Sequence, residues 1–486
     1  MKHSNLDDAA RLRCYDRKLS ESASGFKLRF SARFMHPKFA LLRRDWLGEE
    51  QTFALKSLCA RPIKRGVQPD YDESNIYVVK TGTLKNGELD WENVQTVSEE
   101  FFDSVKRRAG LRRNDVLVSS TGVGSLGKVD IYNRDEPAIA DGHISIVRIR
   151  EQSHEPVLLA HLMRHRLVQW QIEQGLTGST NQIDIYPQQI ESLRLPRLAV
   201  NVRKVLLGKV TRIEGDISKA RAALRAPDEV IDEILCAEFD YPLAEHRERA
   251  RLRHFARTLG TLAAGYTLRN SAKFHHPDFQ LTERFFARTP HERVKAFVAV
   301  PIRLGATATK SDLIEDGDAY YVHPGATKKQ RAIALKDCHQ VTQEFYDSHQ
   351  CRFGLRPGDV IINRSGEALG KVAIFEHDDE PALASDFTMR VRFNERMNPR
   401  FAWFFFRSVM FQAQILRELR GSSVPNIFPP QVEQMHVVTC ERARQDELAA
   451  QITAALGALD THRADIDSKR KEIDALINEA INATKK

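Results

Sequence analysis

Cysteine is scarce in this chain: six residues, at positions 14, 59, 236, 338, 351 and 440, among 486. None forms a C-x-x-C pair, so neither a zinc site nor a disulfide framework is indicated, and the set suits a reducing cytoplasm. Long apolar runs are missing too. The most apolar stretch, "RFAWFFFRSVMFQAQIL" over 400–416, is cut by Arg407 and two glutamines and is too short and polar to span a bilayer. It reads as a buried helix. The opening residues, "MKHSNLDDAARLRCYD", carry no apolar core of the signal-peptide kind. No H-E-x-x-H metal motif occurs, nor a convincing nucleophile–base arrangement. No (D/N)-P-P-(Y/F) run, which methyl transfer to an amino group would need to hold its target amine, is present either. Membrane, metal and cofactor chemistry are therefore not expected.

Charged residues make up 28% of the chain and hydrophobic ones 42%, which fits folded domains rather than disorder. The length calls for two or more domains. A formal charge of +8 permits a polyanionic partner.

The chain is written twice. "ARLRCYDRKLSESASGFKLRFSARFMHPKF" (10–39) matches "ARLRHFARTLGTLAAGYTLRNSAKFHHPDF" (250–279) at a constant offset of 240. Further on, residues 97–140 answer 341–384 at an offset of 244, with one residue dropped near Gly366. The segments "GSTNQIDIYPQQI" (178–190) and "GSSVPNIFPPQV" (421–432) also correspond. A period this long marks a duplicated domain, not a solenoid. Each copy opens with short β-rich segments, such as "NIYVVKTG", "DVLVSS", "KVDIY" and "ISIVRIR" in the first. A helix follows ("PVLLAHLMRHRLVQWQIEQGL"; "PRFAWFFFRSVMFQAQILREL"), then a polar loop, then a short strand.

The repeat also settles "TGVGSLGKV" (121–129), whose Gly122, Gly127 and Lys128 have phosphate-loop spacing. Val129 stands where the magnesium-holding hydroxyl belongs, and a strand follows instead of a helix. The second copy, Gly366 to Gly370-Lys371, is one residue short. A phosphate cradle does not survive that loss, so a hairpin-like turn with a variable tip is expected in both copies.

A long helical stretch ends each copy. Leu206, Val210, Ile213, Ile217, Ala220 and Leu224 step by threes and fours, as do Leu448, Ile452, Ala455, Leu459, His462 and Ile466, with Ile473 and Ala480 continuing the second set. This spacing marks a coiled-coil seam. Pro227 is expected to end the first helix, with "PDEVIDEILCAEFDYPLAEH" linking it to the second copy.

This order resembles the specificity subunit of a type I restriction-modification system. "PIKRGVQPDYDESNIYVVKTGTL" (62–84), "LRRNDVLVSSTGVGSLGKV", "LRPGDVIINRSGEALGKV" and "GSTNQIDIYPQQIESLRLP" are similar to runs of that family. The likeness covers nearly the whole chain; no single motif is specific, but the ordered set occurs twice. The helices lack the family's usual P-L-P-x-x-E-Q run, and "IRLGATATKSDLIEDGDAYYVHPG" has no proline in the usual place.

The resemblance implies an α+β fold with two β-rich target recognition domains in pseudo-twofold tandem, separated by a long antiparallel helical coiled coil. The expected segments are 1–200 for the first recognition domain, 201–245 for a helical spacer, 246–440 for the second domain and 441–486 for a C-terminal coiled-coil helix. It implies a non-catalytic cytoplasmic subunit without cofactor or metal. The implied partners are double-stranded DNA, two methyltransferase subunits and, with them, restriction or translocase subunits. Each domain would read one half of a bipartite target. The rival readings are a protein-interaction scaffold and a self-contained methyltransferase or nuclease. For the nuclease, Asp70, Glu73 and Lys80 have only loose spacing, and the second copy has His323 at the Lys80 position.

If both copies share a scaffold, base reading belongs where their loops differ. Three places qualify: Lys80, Thr81 and Thr83 against His323; Ser119, Ser120 and Thr121 against Asn363, Arg364 and Ser365; and Thr180, Asn181 and Gln182 against Ser422, Ser423 and Asn426. Arg pairs with guanine and Asn or Gln with adenine, so Arg364, Asn181 and Gln182 are the preferred readers. Lys128 and Lys371, shared by both copies, suit a phosphate contact or a strand-edge charge. The expected docking helices carry Leu206, Val210, Ile213, Ile217, Leu224, Leu448, Ile452, Leu459, Ile466 and Ile473.

Overall fold

The computed structural model describes residues 23–24, 27–28, 36–48, 50–91, 94–150, 155–177, 183–252, 254–256, 258, 274–419 and 425–483. The chain divides into two compact units, one of residues 1–221 with 464–486 and one of residues 222–463.

The first unit is built around a four-stranded antiparallel sheet in the order Lys64–Arg65, Ile144–Val147, Val116–Ser119, Val129–Ile131. A second sheet sets Tyr71–Val79 between Thr96–Val97 and Ala138–Ala140, the last pairing parallel. Helix Glu99–Ala109 covers that sheet. Ser98 caps it, its hydroxyl accepting from the Phe101 amide at 3.2 Å. Its Phe101, Phe102 and Val105 pack on Ile76, Val78 and Ile139. The second unit repeats the plan: Arg303–Leu304, Thr388–Val391, Val360–Asn363 and Val372–Ile374 form the antiparallel sheet. Ala319–Val322 pairs parallel with Ala382–Ala384, and helix Gln343–Phe353 takes the place of Glu99–Ala109. The β-rich segments read from the sequence are these strands.

Both sheets are clamped at one end by the same pair. The Asp115 carboxylate accepts from Arg148 Nε at 2.7 Å and from the Arg112 amide at 2.8 Å. Asp359 accepts from Arg392 Nε at 2.8 Å and from the Arg356 amide at 2.8 Å. The aspartates are buried, so each charge is held by a bidentate fork.

The helix expected after the strands is two helices in each copy. Pro156–Arg164 and Arg166–Gly175 meet at His165; Pro399–Arg407 and Val409–Glu418 meet at Ser408. His165 (ψ 142°) and Ser408 (ψ 155°) are extended, and a glutamine from the following turn satisfies the broken end. Gln169 Nε2 donates to Met163 O at 2.8 Å and Gly127 O at 2.9 Å. Gln412 Nε2 donates to Phe406 O at 2.6 Å and Gly370 O at 3.0 Å.

The helical spacer has other boundaries than the sequence predicts. The first long helix is Val200–Ala222, so Leu224 lies beyond its end and is only half-buried. Pro227 does not end that helix; it opens the next, Pro227–Glu238, where a proline at the first position costs no hydrogen bond. Ile231, Leu235 and Cys236 of that helix enter the core of the second unit, so residues 201–245 divide between the units. The last helix, Arg442–Ala483, also gives residues to both units.

The seam residues Leu206, Val210, Ile213, Ile217, Leu448, Ile452, Leu459, Ile466 and Ile473 are all buried within the chain, whereas His462 is exposed. Leu448 and Ile452 belong to the second unit's core. The spacing of threes and fours thus marks the face each helix turns inward, and these side chains are not available to an outside partner.

Polar contacts pin the helices beside each break. In the first unit His161 Nε2 lies 2.8 Å from Glu214 Oε1, and His165 Nε2 lies 2.9 Å from Asn478 Oδ1. In the second, Asp228 pairs with the buried Arg407 at 2.8 Å, and Asp232 accepts from the Val409 amide at 2.6 Å. Burial pushes the Asp232 carboxyl from its ordinary 3.8 up to about 7. The folded state therefore holds this proton more firmly than the unfolded chain between those values. Stability falls as pH rises through that window, and the loss is complete above it. Asp232→Asn keeps the acceptor for Val409. It should raise the unfolding free energy at pH 8 by roughly 4 kcal/mol, and remove this fall of stability between 3.8 and about 7. Thermal unfolding of both chains at a series of pH values checks this; an unchanged slope refutes it.

Candidate nucleic-acid interface

The end of each sheet opposite the clamp gathers the loops that differ between copies. The register places it: Ile144 faces Ser119, Val118 faces Val129, and Ser145 faces Arg65. The segments after Ser119, before Val129, before Ile144 and after Arg65 thus share one edge. Backbone bonds knit them to the third loop. The Ser120 amide donates to His143 O at 2.8 Å, and the Ile185 amide to Ser120 O at 3.0 Å. In the second unit the Arg364 amide donates to Phe387 O and the Ile427 amide to Arg364 O, both at 3.0 Å. Second and third candidate loops are therefore neighbours in both copies.

The turn read first as a phosphate loop is a hairpin turn, as expected: Val116–Ser119 pairs antiparallel with Val129–Ile131 across it. Gly127 has φ +83°, and a Cβ there would lie 2.8 Å from Gln169 Oε1. Its equivalent Gly370 has φ +74° and is crowded by Ile415 and Gln412. The shared Gly-Lys thus locks the turn to the helix break. Lys128 and Lys371 follow it, half-buried, with no side-chain hydrogen bond or ion pair among the described residues.

Several expected contacts prove to be scaffold. Ser119, Ser120, Thr83, Asn363 and Ser365 are buried. Ser120 Oγ lies 2.6 Å from Ser145 Oγ; Thr327 Oγ1 donates to Asn363 Oδ1 at 2.8 Å. A side chain already bonded inside the sheet edge does not reach a base, so these residues support the loops. Lys80, half-buried, donates to Gln95 and lies 4.1 Å above the Tyr71 ring. His323 stacks on His339 at 4.0 Å, accepts from the Gly325 amide at 3.0 Å, and is held below its ordinary pKa by burial, then by His339. Thr81, Thr121 and Asn426 are half-buried at the edge. Thr180, Asn181, Gln182, Ser422 and Ser423 lie outside the described residues.

Sequence reasoning missed an aromatic platform at this edge. Tyr186 and Phe428 are equivalent, precede Pro187 and Pro429, and are 50% and 40% exposed. An arginine lies over each: Arg65 at 5.4 Å from the Tyr186 ring, Arg364 at 5.9 Å from the Phe428 ring. Phe387, 49% exposed, also flanks Arg364 at 5.7 Å. The signal was present as an aromatic–proline pair recurring in both tails. Exposed rings beside guanidinium groups are the elements that stack on bases and read their edges. Among the described residues no cluster of His, Cys, Asp and Glu could hold a metal ion, and no helix is long and apolar enough to cross a membrane.

Geometry thus defines a duplicated chain of two like modules, each with a rigid clamp end and a divergent loop end. No family model and no curated protein sequence matches it. Among solved structures it is similar to the S subunit of a type I restriction-modification system from M. genitalium, at 12% identity and a TM-score of 0.40, over 89% of this chain and 97% of that one. It is also similar to the HsdS subunit from Thermoanaerobacter tengcongensis, at 13% identity and a TM-score of 0.30, over 89% and 96%. The type IIG restriction endonuclease BpuSI shares 12% identity over 42% of this chain and 33% of its own, with a TM-score of 0.28.

Proposed function

We propose that the chain is the sequence-specific DNA-recognition subunit of a type I restriction-modification complex. It is non-catalytic alone, and each repeat reads one half of a bipartite target. One observation carries the proposal: both units keep the same clamp, Asp115–Arg148 and Asp359–Arg392, and vary the opposite end. A fixed scaffold with an exchangeable loop edge is what two readers of different sequences require. The helices Val200–Ala222 and Arg442–Ala483 dock methyltransferase subunits by the faces their buried seams leave outward, where Val200 and Val205 are exposed.

The purified chain should bind duplex DNA with an affinity that drops about a thousandfold or more between about 50 and 200 mM salt. It should methylate only with a separate methyltransferase, two per chain. Turnover by the highly purified chain, or binding indifferent to salt, would overturn this reading.

A further inference from the structure

The two loop edges place an arginine over the same aromatic position but bring it from different places in the sequence. Gly66 and Gly305 are equivalent, since a Cβ on either would meet a carbonyl at 1.9 Å, that of Ala140 or of Ala384. Arg65, one residue before, therefore corresponds to Leu304, and Arg364 corresponds to Ser120.

Their surroundings differ in charge. Arg65 Nη2 donates to Asp184 Oδ1 and to Ile185 O, each at 2.9 Å. The carboxylate neutralises it, and its Nη2 is taken up within the loop. In the second unit Asn426 stands where Asp184 does; the pairings Thr121 with Asp184 and Ser365 with Asn426 fix the equivalence. Arg364 has no side-chain hydrogen bond and no ion pair among the described residues; its Nε, like that of Arg65, is buried without a partner. The rings of Phe387 and Phe428 hold it on the apolar side. What remains free is the pair of terminal nitrogens, at the edge where the loops diverge.

We infer that Arg364 reads a guanine in the half-site of the second unit, through its terminal nitrogens to O6 and N7. The first unit has no such reader at the equivalent point, because Asp184 occupies Arg65. A planar fork set beside two rings offers two parallel donors, which suits the guanine edge. Exposed apolar rings are poor neighbours for a phosphate, whose hydration they cannot replace, but they tolerate a base. Asn426 is a specificity residue by omission: an aspartate there would neutralise the reader as Asp184 does.

This inference rests on the DNA-recognition proposal, and one experiment separates the two. The full-length wild-type chain, Arg364→Lys, Asn426→Asp and Asp184→Asn are each used to select duplexes from a randomised library. Each chain is then titrated against the selected sequence and its single-base variants. If the wild type selects no two-part sequence, the recognition proposal fails. If it does, Arg364→Lys and Asn426→Asp should each lower the preference for one guanine, in one half only, by about 10- to 100-fold. Asp184→Asn should leave that guanine's preference intact. Arg364→Lys and Asn426→Asp selecting the wild-type sequence undiminished would overturn the inference while the recognition proposal stands. So would a uniform loss across all duplexes with the salt slope reduced by about one, which marks a phosphate contact.

Discussion

Arg392→Ala should cost the second unit about 3–5 kcal/mol, and Arg148→Ala the first unit as much. Each removes the partner of a buried carboxylate and leaves Asp359 or Asp115 charged, among strands buried at every position. That is a large fraction of an ordinary domain's stability. The loss is one of burial, not of surface charge pairing, so salt should not reproduce it. Replacing both partners by apolar residues of similar size should recover much of the deficit, because a buried pair is worth little against good packing. Urea unfolding of the single and double variants decides the matter. A cost below about 1 kcal/mol would reduce the clamp to an exposed salt bridge.

Exchanging residues 280–437 for the same region of a relative should change one half of the recognised sequence completely and leave the other intact. The exchanged segment carries both sheets of the second unit and nearly all of the paired strands His291–Arg293 and His436–Val438. It also carries Arg407 away from Asp228 and the Val409 amide from Asp232. A donor with arginine at the Arg407 position should therefore give a folded hybrid, and one without it a destabilised hybrid. Methylation mapping in a host expressing the hybrid reads the outcome. If both halves changed together, the modules would not be independent.

Much of this was legible in the sequence. The duplication and the order of strands could be read because the offset is nearly constant and β-branched runs sit between turn residues. Other features left no local mark. The breaks at His165 and Ser408 interrupt continuous apolar patterns, and Gln169 and Gln412 sustain them by reaching a hairpin turn some forty positions earlier in the chain. Ser120 and Asn363 look like loop residues, yet they are buried, one bonded to Ser145 of a distant strand and the other to Thr327 at the end of a short helix. The seam is visible in the sequence, but spacing alone does not say whether a helix turns that face to its own chain or to another. Arg65 went unnoticed because only the folded edge brings it to Tyr186.

The second unit is one unbroken stretch of chain, whereas the first is assembled from residues 1–221 and 464–486. Asn478, which meets His165, and the buried Ile473, Ile477 and Ile481 belong to that last piece. On the ribosome, the first unit to begin is therefore the last to finish. All of the second unit is synthesised before the first receives its closing helix. A nonsense codon near residue 463 would yield a complete second unit beside a first one whose apolar face has lost its cover.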